Sequence, residues 1–213
     1  MNPIKEVCVE SYQEAVAIAA AGASRIELCD NLSVGGTTPS YGTIKQVIRK
    51  LQIPSMIMIR PRGGDFCYSP DELEIMRHDI QICHSLGAYG VVFGLLNPDH
   101  TIDLEKTKEL VRLARPMQVT FHKAIDDTND IILSIRELKN IGIDRILTSG
   151  GQPTAVEGCE TLLKMIETAG NDLTIIVAGK VTWENFEEIK MQIPSKEYHG
   201  RKLIKYSFSN PIL

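Results

Sequence analysis

Residues 56–68, MIMIRPRGGDFCY, join an uninterrupted apolar run to an abrupt polar loop. The run MIMI is typical of a buried strand, and it ends at Arg60, followed by Arg62 and a pair of glycines. Glycine permits tight turns that point backbone N–H groups at an anion, and arginine presents a planar fork to carboxylate or phosphate. The stretch therefore predicts either a binding site at the mouth of a strand or a structural loop whose arginines pair with nearby acids.

The same unit of helix end, glycine and short strand recurs elsewhere, in AGASRIEL, LGAYGVVF and IGIDRILT. Strands that alternate with helices predict right-handed βαβ units and a parallel sheet. We predict strands at 4–9, 24–29, 55–60, 89–95, 117–122, 144–148, 173–178 and, more weakly, 196–199. Helix starts are expected at Ser11, Thr38, Ser69, Asp103, Asp127 or Thr128, Thr154 and Thr182.

Eight such units in 213 residues predict one domain, residues 1–213, with a TIM-like (β/α)₈ barrel fold of the α/β class. The alternative, an open doubly wound sheet, needs strands that are apolar on both faces, and these strands are not. The sequence ends soon after the eighth strand, so we expect a reduced or missing eighth helix.

Composition narrows the range of partners. The formal net charge of −4 argues against a general nucleic-acid surface, and no apolar run is long enough to span a bilayer. The N-terminal residues have no signal-peptide pattern, so we expect a cytoplasmic protein. The five cysteines have no CxxC spacing, and in a reducing compartment they are expected to be thiols.

Polar and apolar side chains alternate within the strands. In residues 4–9, Val7 and Val9 share one face, which leaves Glu6 and Cys8 on the other. The same alternation places further polar or mixed side chains on the inner faces: Glu10, Glu27, Cys29, Met56, Met58, Arg60, Thr120 and His122. We expect the apolar faces to pack on the helices and the polar ones to point into the barrel near its C-terminal mouth, where His199 can join them.

These inner residues allow two kinds of chemistry. Glutamates in a barrel interior need compensation, and Arg60 is the expected partner of Glu6 and Glu27. The set is then either an internal salt-bridge network or a catalytic group for proton transfer on an anionic substrate: Glu6, Glu27, Arg60 and His122. Cys8 and Cys29 are expected at equivalent places on adjacent strands, where two thiols either bind a soft metal such as Cu(I) or pack as small hydrophobic residues.

Glycines in later loops extend the possible anion site. Arg60 and Arg62 lie at the exit of the third strand, and Gly150, Gly151 and Gly179 lie at the exits of the sixth and seventh. Loops in this region of a barrel often hold phosphate through backbone N–H groups, although glycine at a strand exit also simply makes a turn.

Several longer motifs resemble the CutC family of copper homeostasis proteins: EVCVES, RIELCDNLSVGGTTPS, MIRPRGGDFCYS, GVVFGLL, VTFHKAID, RILTSGGQPTAVEG and EYHG. The resemblance covers residues 5–200 and implies a TIM-like barrel, a cytoplasmic location and a role in copper tolerance. It also implies Cu(I) binding by Cys8 and Cys29, the cysteines of EVCV and IELC. The sequence departs from the family pattern at residues 122–126, HKAID where HRAFD is usual, and at residues 178–180, AGK.

Two functions from different classes therefore compete. The first is a copper-binding homeostasis protein that uses Cys8 and Cys29. The second is a barrel enzyme acting on a small anionic or phosphorylated metabolite, with Arg60 and Arg62 holding the anion and Glu27 or His122 moving the proton. A purely structural role is the third, and it would not need this polar mouth.

We also predict self-association as a homodimer. The segment 203–208 alternates Leu203, Lys205 and Ser207 with Ile204, Tyr206 and Phe208. An apolar row of this length on a terminal segment favours burial against another surface. Sedimentation velocity at high micromolar concentration should show a dimer, and a purely monomeric boundary would contradict the prediction.

Overall fold

Eight strands and seven helices alternate along residues 2–206, the part of the chain that this computed structural model describes. The elements in chain order are β1 (Ile4–Val9), α1 (Tyr12–Ala20), β2 (Arg25–Leu28), α2 (Tyr41–Lys50), β3 (Ser55–Met58), α3 (Pro70–Leu86), β4 (Gly90–Phe93), α4 (Leu104–Ala114), β5 (Gln118–Phe121), α5 (Ile131–Asn140), β6 (Arg145–Thr148), α6 (Cys159–Ala169), β7 (Thr174–Val177), α7 (Phe186–Gln192) and β8 (Glu197–His199). Short 3-10 helices lie at Leu32–Val34 and Lys123–Asp127.

The strands are parallel and form a closed barrel in sequence order. Closure is made by β1, which pairs with β2 on one side and with β8 on the other, so that Glu6 lies opposite both Arg25 and His199. This confirms the predicted TIM-like (β/α)₈ fold. None of the helices within residues 2–206 is long and apolar enough to cross a membrane.

Three helices begin after the N-cap residues that the sequence predicts. The Ser11, Ser69 and Asp103 side chains each accept a hydrogen bond from the first turn of the helix that follows. Ser69 and Glu72 form the full reciprocal capping box, with proline at the first helical position.

Four other helices begin later than predicted. The cap of α2 is Ser40 and not Thr38, the cap of α5 is Asp130, and α7 follows Asn185. The largest shift is at α6, because Thr154 caps only an isolated turn with Glu157 and the regular helix starts at Cys159.

The delay of α6 has a local cause. The backbone N–H of Ala155 donates to the Gly179 carbonyl at 2.9 Å, which ties this segment to the loop after β7. Gly158 then passes so close to the Ser149 carbonyl that a side chain there would collide with it. The chain therefore turns twice before it becomes helical.

Apolar residues occupy two environments, as the alternation predicted. Val7 and Val9 belong to the main core between barrel and helices, with the outward residues of the other strands. Inside the barrel lie two small clusters: Cys29, Met56, Met58 and Val92, and Leu147, Ile176 and Ala178. Full burial of each large aliphatic side chain contributes on the order of 1.5–3 kcal/mol. Glu10, which was expected on the inner face, instead pairs with Arg201 beyond the end of β1.

An ion-pair layer fills the lower interior of the barrel. Arg25 donates to Glu6 at 2.5 Å and also to Glu197. Arg145 approaches Glu197 at 3.2 Å and donates to the Gln118 side chain at 2.9 Å. The predicted compensation of Glu6 by Arg60 is therefore wrong. The strand register brings Arg25 beside Glu6, whereas Arg60 lies beyond the end of β3.

The segment that follows β8 covers the barrel where an eighth helix would pack, and within residues 2–206 no such helix is present. Leu203 is fully buried, and Ile204 and Tyr206 pack partly against the main core. Part of the predicted apolar row is thus covered by the chain's own barrel. Ser207 and Phe208 lie outside the described residues, and the homodimer remains a prediction.

The turn after β5 buries a histidine. His122 Nδ1 accepts a hydrogen bond from the Ala124 N–H at 3.2 Å and caps the 3-10 helix Lys123–Asp127. Burial disfavours the charged imidazolium and Arg60 repels it, so the pKa of His122 is lowered to about 3. His122 is therefore neutral at neutral pH.

Removing the central cation of the ion-pair layer should be strongly destabilising. Arg25→Met leaves Glu6 and Glu197 short of a buried partner, and we expect a loss of about 3–5 kcal/mol in the free energy of unfolding. The control is Arg77→Met, which breaks exposed pairs with Glu74 and Glu109 and should cost much less. Urea denaturation measures both, and equal losses would contradict a buried role for Arg25.

His122 should make stability fall with acidification. The unfolded chain takes up a proton at this residue below about pH 6.5, whereas the folded chain does so only near pH 3. The contribution is therefore fully present above pH 6.5 and is lost progressively below it. We expect wild type to lose about 1 kcal/mol more than His122→Asn between about pH 7 and pH 5.5, measured by urea denaturation. Parallel pH profiles for the two proteins would exclude a neutral buried His122.

Candidate functional site

A cavity of about 680 Å³ opens at the C-terminal mouth of the barrel. Its floor contains Cys8, Glu27 and His199, and its walls are formed by loops that follow β2, β3, β5 and β6. The other lining residues are Leu32, Val34, Gly35, Met58, Arg60, Gly64, Phe66, His122, Lys123, Asp126, Asp127, Leu147, Gly151, Gln152 and Pro153. A second depression, of about 590 Å³, lies on the outside of the barrel between α1, α7 and the segment after β8, away from these polar groups.

Three side chains on the cavity floor converge closely enough to hold an ion. One ligand atom from each of Cys8, Glu27 and His199 lies within 4.8 Å of the other two. The strand register produces this arrangement, because Cys8 pairs with Glu27 across β1 and β2 while Glu6 pairs with His199 across β1 and β8. Thiolate and imidazole are ligands that suit copper and zinc.

Glu6 holds the imidazole of His199 from below. Its Oε1 lies 2.8 Å from His199 Nδ1, while His199 Nε2 lies 3.7 Å from Glu27 Oε2. Burial would raise the pKa of Glu6, but Arg25 and the hydrogen bond with His199 outweigh it and lower that pKa to about 2. Burial likewise opposes protonation of His199, but Glu27 and Cys8 outweigh it, so the pKa of His199 is raised well above its usual value.

Glu27 faces both the ion-pair layer and the cavity. Burial raises the pKa of its carboxyl group, and the neighbouring Glu6 carboxylate adds to the effect while His199 opposes it. Its Oε2 lies 3.5 Å from the Cys29 sulfur, and its Oε1 is buried without a hydrogen-bond partner among the described residues.

The two predicted metal-binding cysteines lie at different heights in the barrel. Cys8 is opposite Glu27, so the expected equivalence of Cys8 and Cys29 is wrong by two residues of register. Cys8 lines the cavity, whereas Cys29 is fully buried among Met56, Met58 and Val92. Burial and the adjacent Glu27 raise the pKa of the Cys29 thiol well above its usual value.

Arg60 supports the loops of the mouth and does not pair with the inner glutamates. Its guanidinium donates to the carbonyls of Val34 and Gly36 at 2.9 Å and to that of Gly64 at 2.7 Å. The guanidinium carbon lies 4.9 Å from the centre of the Phe66 ring. Arg60 Nε is buried and has no hydrogen-bond partner within residues 2–206.

His122 contacts the same aromatic ring. The centres of the His122 and Phe66 rings are 4.8 Å apart. A side chain at Gly94 would come within 2.6 Å of His122 Nδ1, so glycine makes room for the imidazole. His122 Nε2 is likewise buried without a partner in the described part of the chain.

Arg62 and two of the predicted anion-binding glycines have other contacts. Arg62 pairs with Glu72 at 2.5 Å and with Asp65 at 3.0 Å, and it does not line the cavity. Gly151 does line the cavity, but Gly150 and Gly179 are packed against neighbouring backbone, where a side chain would clash. The structure thus brings Arg60 and Gly151 to the mouth without Arg62.

Sequence reasoning missed several residues that shape the site. Arg25 and Glu197 complete the ion-pair layer, and both could have been found by extending the alternation one step along β2 and β8. Asp126 holds the loop after β6 by accepting from Gly151 N–H at 2.9 Å and Ser149 N–H at 3.1 Å. These hydrogen bonds join two loops that are far apart in the sequence, so no local sequence pattern predicts them.

Comparison with known proteins places this chain in a family. Residues 3–204 match the family model described as the CutC family. The human protein "copper homeostasis protein cutC homolog" is 42% identical over 196 residues, which cover 92% of this chain and 72% of the human one. A CutC family protein from Chromobacterium violaceum is 41% identical over 200 residues, covering 94% and 81% of the two chains.

Solved structures agree with this assignment. The crystal structure of CutC from Streptococcus agalactiae superposes with a TM-score of 0.89 at 36% identity, covering 94% of this chain and 99% of that one. Deoxyribose phosphate aldolase from Aeropyrum pernix has a TM-score of 0.69 at 14% identity over 94% and 86% of the chains, which shows a shared barrel fold alone. From the match over nearly its whole described length, the chain belongs to the CutC family of copper homeostasis proteins.

Proposed function

We propose that this protein acts in copper homeostasis by binding Cu(I) on the cavity floor, with Cys8 and His199 as its first ligands and Cys29 as a second sulfur. The observation that carries the proposal is the convergence of Cys8, Glu27 and His199 within 4.8 Å. The name of the human relative refers to copper homeostasis. We assign copper to this chain because both proteins belong to the same family.

The donor types favour a soft ion. Thiolate binds Cu(I) strongly, imidazole also suits copper, and a carboxylate is the weakest of the three for this ion. Glu27 is therefore assigned the role of a neighbouring charge that attracts the cation. Cys8 and His199 supply the soft and intermediate donors.

The distances support binding after a small movement. With zinc bond lengths as a guide, sulfur at about 2.3 Å and nitrogen at about 2.0 Å span about 4.3 Å when they face each other across the ion. Donor atoms within 4.8 Å of one another are close to that span. A side-chain adjustment of about half an ångström is enough to place both on one ion.

The contact between Glu6 and His199 supports the choice of ligand nitrogen. Nδ1 of His199 is already hydrogen-bonded to Glu6, so Nε2 is the nitrogen left for a metal. A carboxylate behind a ligating histidine fixes the ring and increases its basicity, and this arrangement accompanies most histidine metal sites. Glu6 is thus proposed to orient His199 and not to bind copper itself.

Cys29 is proposed as the second sulfur because it lies just behind Glu27. Its thiol is 3.5 Å from Glu27 Oε2, and it reaches the ion only by displacing that carboxylate. Its raised pKa disfavours the thiolate, so Cys8 is expected to contribute more to affinity than Cys29. All five cysteines are free thiols, and a thiol-based Cu(I) site suits the reducing cytoplasm, where we propose the protein works.

Competition titration with a Cu(I) chelator under reducing conditions tests these assignments. We expect Cys8→Ser and His199→Gln each to weaken binding by at least about tenfold, Cys29→Ser to weaken it less, and Cys8→Ser/Cys29→Ser to abolish stoichiometric binding. The matched control is Cys159→Ser, which removes a partly exposed thiol that has no place in the cluster.

Circular dichroism must show that each variant is folded before its affinity is compared. The proposal is falsified if the folded double variant keeps the stoichiometry and affinity of wild type. If His199→Gln binds Cu(I) as tightly as wild type, the ligands are the two sulfurs and not His199.

A further inference from the structure

Glu27 is the carboxylate of the lower interior that has the fewest partners. The other two, Glu6 and Glu197, each form an ion pair with Arg25. Within residues 2–206 the one cationic partner of Glu27 is His199, whose Nε2 lies 3.7 Å from Glu27 Oε2, and Glu27 Oε1 has no hydrogen-bond partner there. The exposed fraction of Glu27 is 3%. A buried carboxylate held this loosely is costly, so it points to a cation that the chain itself does not supply.

The spacing of the three groups on the cavity floor suits a tetrahedral ion. Zn(II) holds nitrogen and oxygen ligands at about 2.0–2.2 Å and sulfur at about 2.3 Å, so two ligands of one tetrahedral site lie about 3.4–3.6 Å apart. His199 Nε2 and Glu27 Oε2 are 3.7 Å apart, and the ligand atoms of Cys8, Glu27 and His199 all lie within 4.8 Å of one another. A two-coordinate ion would use two of these groups, whereas a tetrahedral ion uses all three.

The types of the three donors also favour zinc. Thiolate, imidazole and carboxylate are the ligands that bind Zn(II) in proteins, and three protein ligands with an open fourth position are typical of catalytic zinc sites. Glu6 accepts from His199 Nδ1 at 2.8 Å, which is the carboxylate–histidine contact that accompanies such ligands. Because Cys8, Glu27 and His199 all line the cavity, the position that they leave open faces the cavity.

The charges of the lower interior favour a divalent ion over a monovalent one. A cysteine that binds a metal is a thiolate, and a histidine that binds a metal is neutral. In that form the lower interior carries four negative and two positive charges, from Cys8, Glu6, Glu27 and Glu197 and from Arg25 and Arg145 respectively. A divalent ion leaves no net charge there, whereas Cu(I) leaves one buried negative charge uncompensated.

The charged groups at the mouth of the cavity do not alter this balance. Lys123 and Asp126 form an ion pair at 2.5 Å. Arg60 and Asp127 carry opposite charges, and His122 is neutral because burial and Arg60 lower its pKa to about 3. The mouth therefore adds no net charge to the cavity.

We propose that the cavity floor is also a Zn(II) site, in which Cys8, Glu27 and His199 are the three protein ligands and the fourth position is open to the cavity. Water, or an oxygen or nitrogen atom of a small molecule in the cavity, completes the tetrahedron. The site shares Cys8 and His199 with the proposed copper site, but it uses Glu27 as a ligand and does not require Cys29. It does not rest on copper binding, because each metal is titrated separately.

The first test is a titration of metal-free protein with Zn(II) in competition with a chromophoric chelator. We expect one Zn(II) per chain. Glu27→Gln should weaken Zn(II) binding by at least about tenfold, because an amide of the same shape replaces a charged ligand. The same variant should weaken Cu(I) binding less, since Glu27 is only a neighbouring charge for that ion. The control is Glu109→Gln, which makes the same change at an exposed partner of Arg77 on α4 and should bind Zn(II) as tightly as wild type.

The second test replaces zinc with Co(II), whose spectrum reports the ligands and the open position. Bound Co(II) should show a thiolate charge-transfer band that is lost in Cys8→Ser, and visible bands of the intensity typical of a tetrahedral site. Azide should shift the visible bands by occupying the fourth position. The wild-type spectra decide even if circular dichroism shows that Glu27→Gln is not folded.

Several results would overturn the proposal: no stoichiometric Zn(II) binding in wild type, an octahedral Co(II) spectrum, a thiolate band that persists in Cys8→Ser, or visible bands that saturating azide leaves unchanged. Wild-type Zn(II) affinity in folded Glu27→Gln would overturn it as well. A protein that binds Zn(II) as described but not Cu(I) would contradict the proposed copper function alone. One that binds Cu(I) but not Zn(II) would contradict this inference alone.

Discussion

The ion pairs of Arg25 with Glu6 and Glu197 are the constraint on which the rest of the interior depends. They lie on three neighbouring strands of the closed barrel, so they satisfy two buried acids at the place where β8 meets β1. Glu6 can stay ionised only because Arg25 and His199 share its charge. The same carboxylate then orients His199, so that a structural ion pair at the bottom of the barrel sets the geometry of the proposed copper ligands above it.

The barrel register decides which polar groups meet. Neighbouring parallel strands are offset, and the offset places Cys8 opposite Glu27 and leaves Cys29 two residues higher. A site built from two sulfurs alone would need both cysteines at one level. The observed level instead holds a thiol, a carboxylate and an imidazole, with the second thiol covered by methionines. Register, more than residue type, is therefore what makes the two cysteines unequal.

Local pattern was sufficient for the fold and for the side of each strand that faces inward. The pleat has a period of two, so Val7 and Val9 specify the inward position of Glu6 and Cys8 without knowledge of the partner strands. The same pattern did not predict which inner side chains pair with each other. Arg60 was the expected partner because the alternation placed it on an inner strand face, but it bonds to loop carbonyls, while Arg25 and Glu197 become neighbours only through barrel closure. Such contacts depend on shear and closure, which a single strand does not encode.

The interior divides into a balanced half and an unbalanced half. In the lower half, Glu6, Glu27 and Glu197 face Arg25, Arg145 and His199, and each ionic group has an opposite charge close by. In the upper half, the Arg60 guanidinium donates to loop carbonyls and forms no ion pair with an acid of the described residues. A second cation there would increase the imbalance, and burial together with Arg60 keeps His122 neutral. The charges of the lower half are therefore nearly balanced by ion pairs, whereas in the upper half the buried charge of Arg60 is stabilised by the dipoles of loop carbonyls.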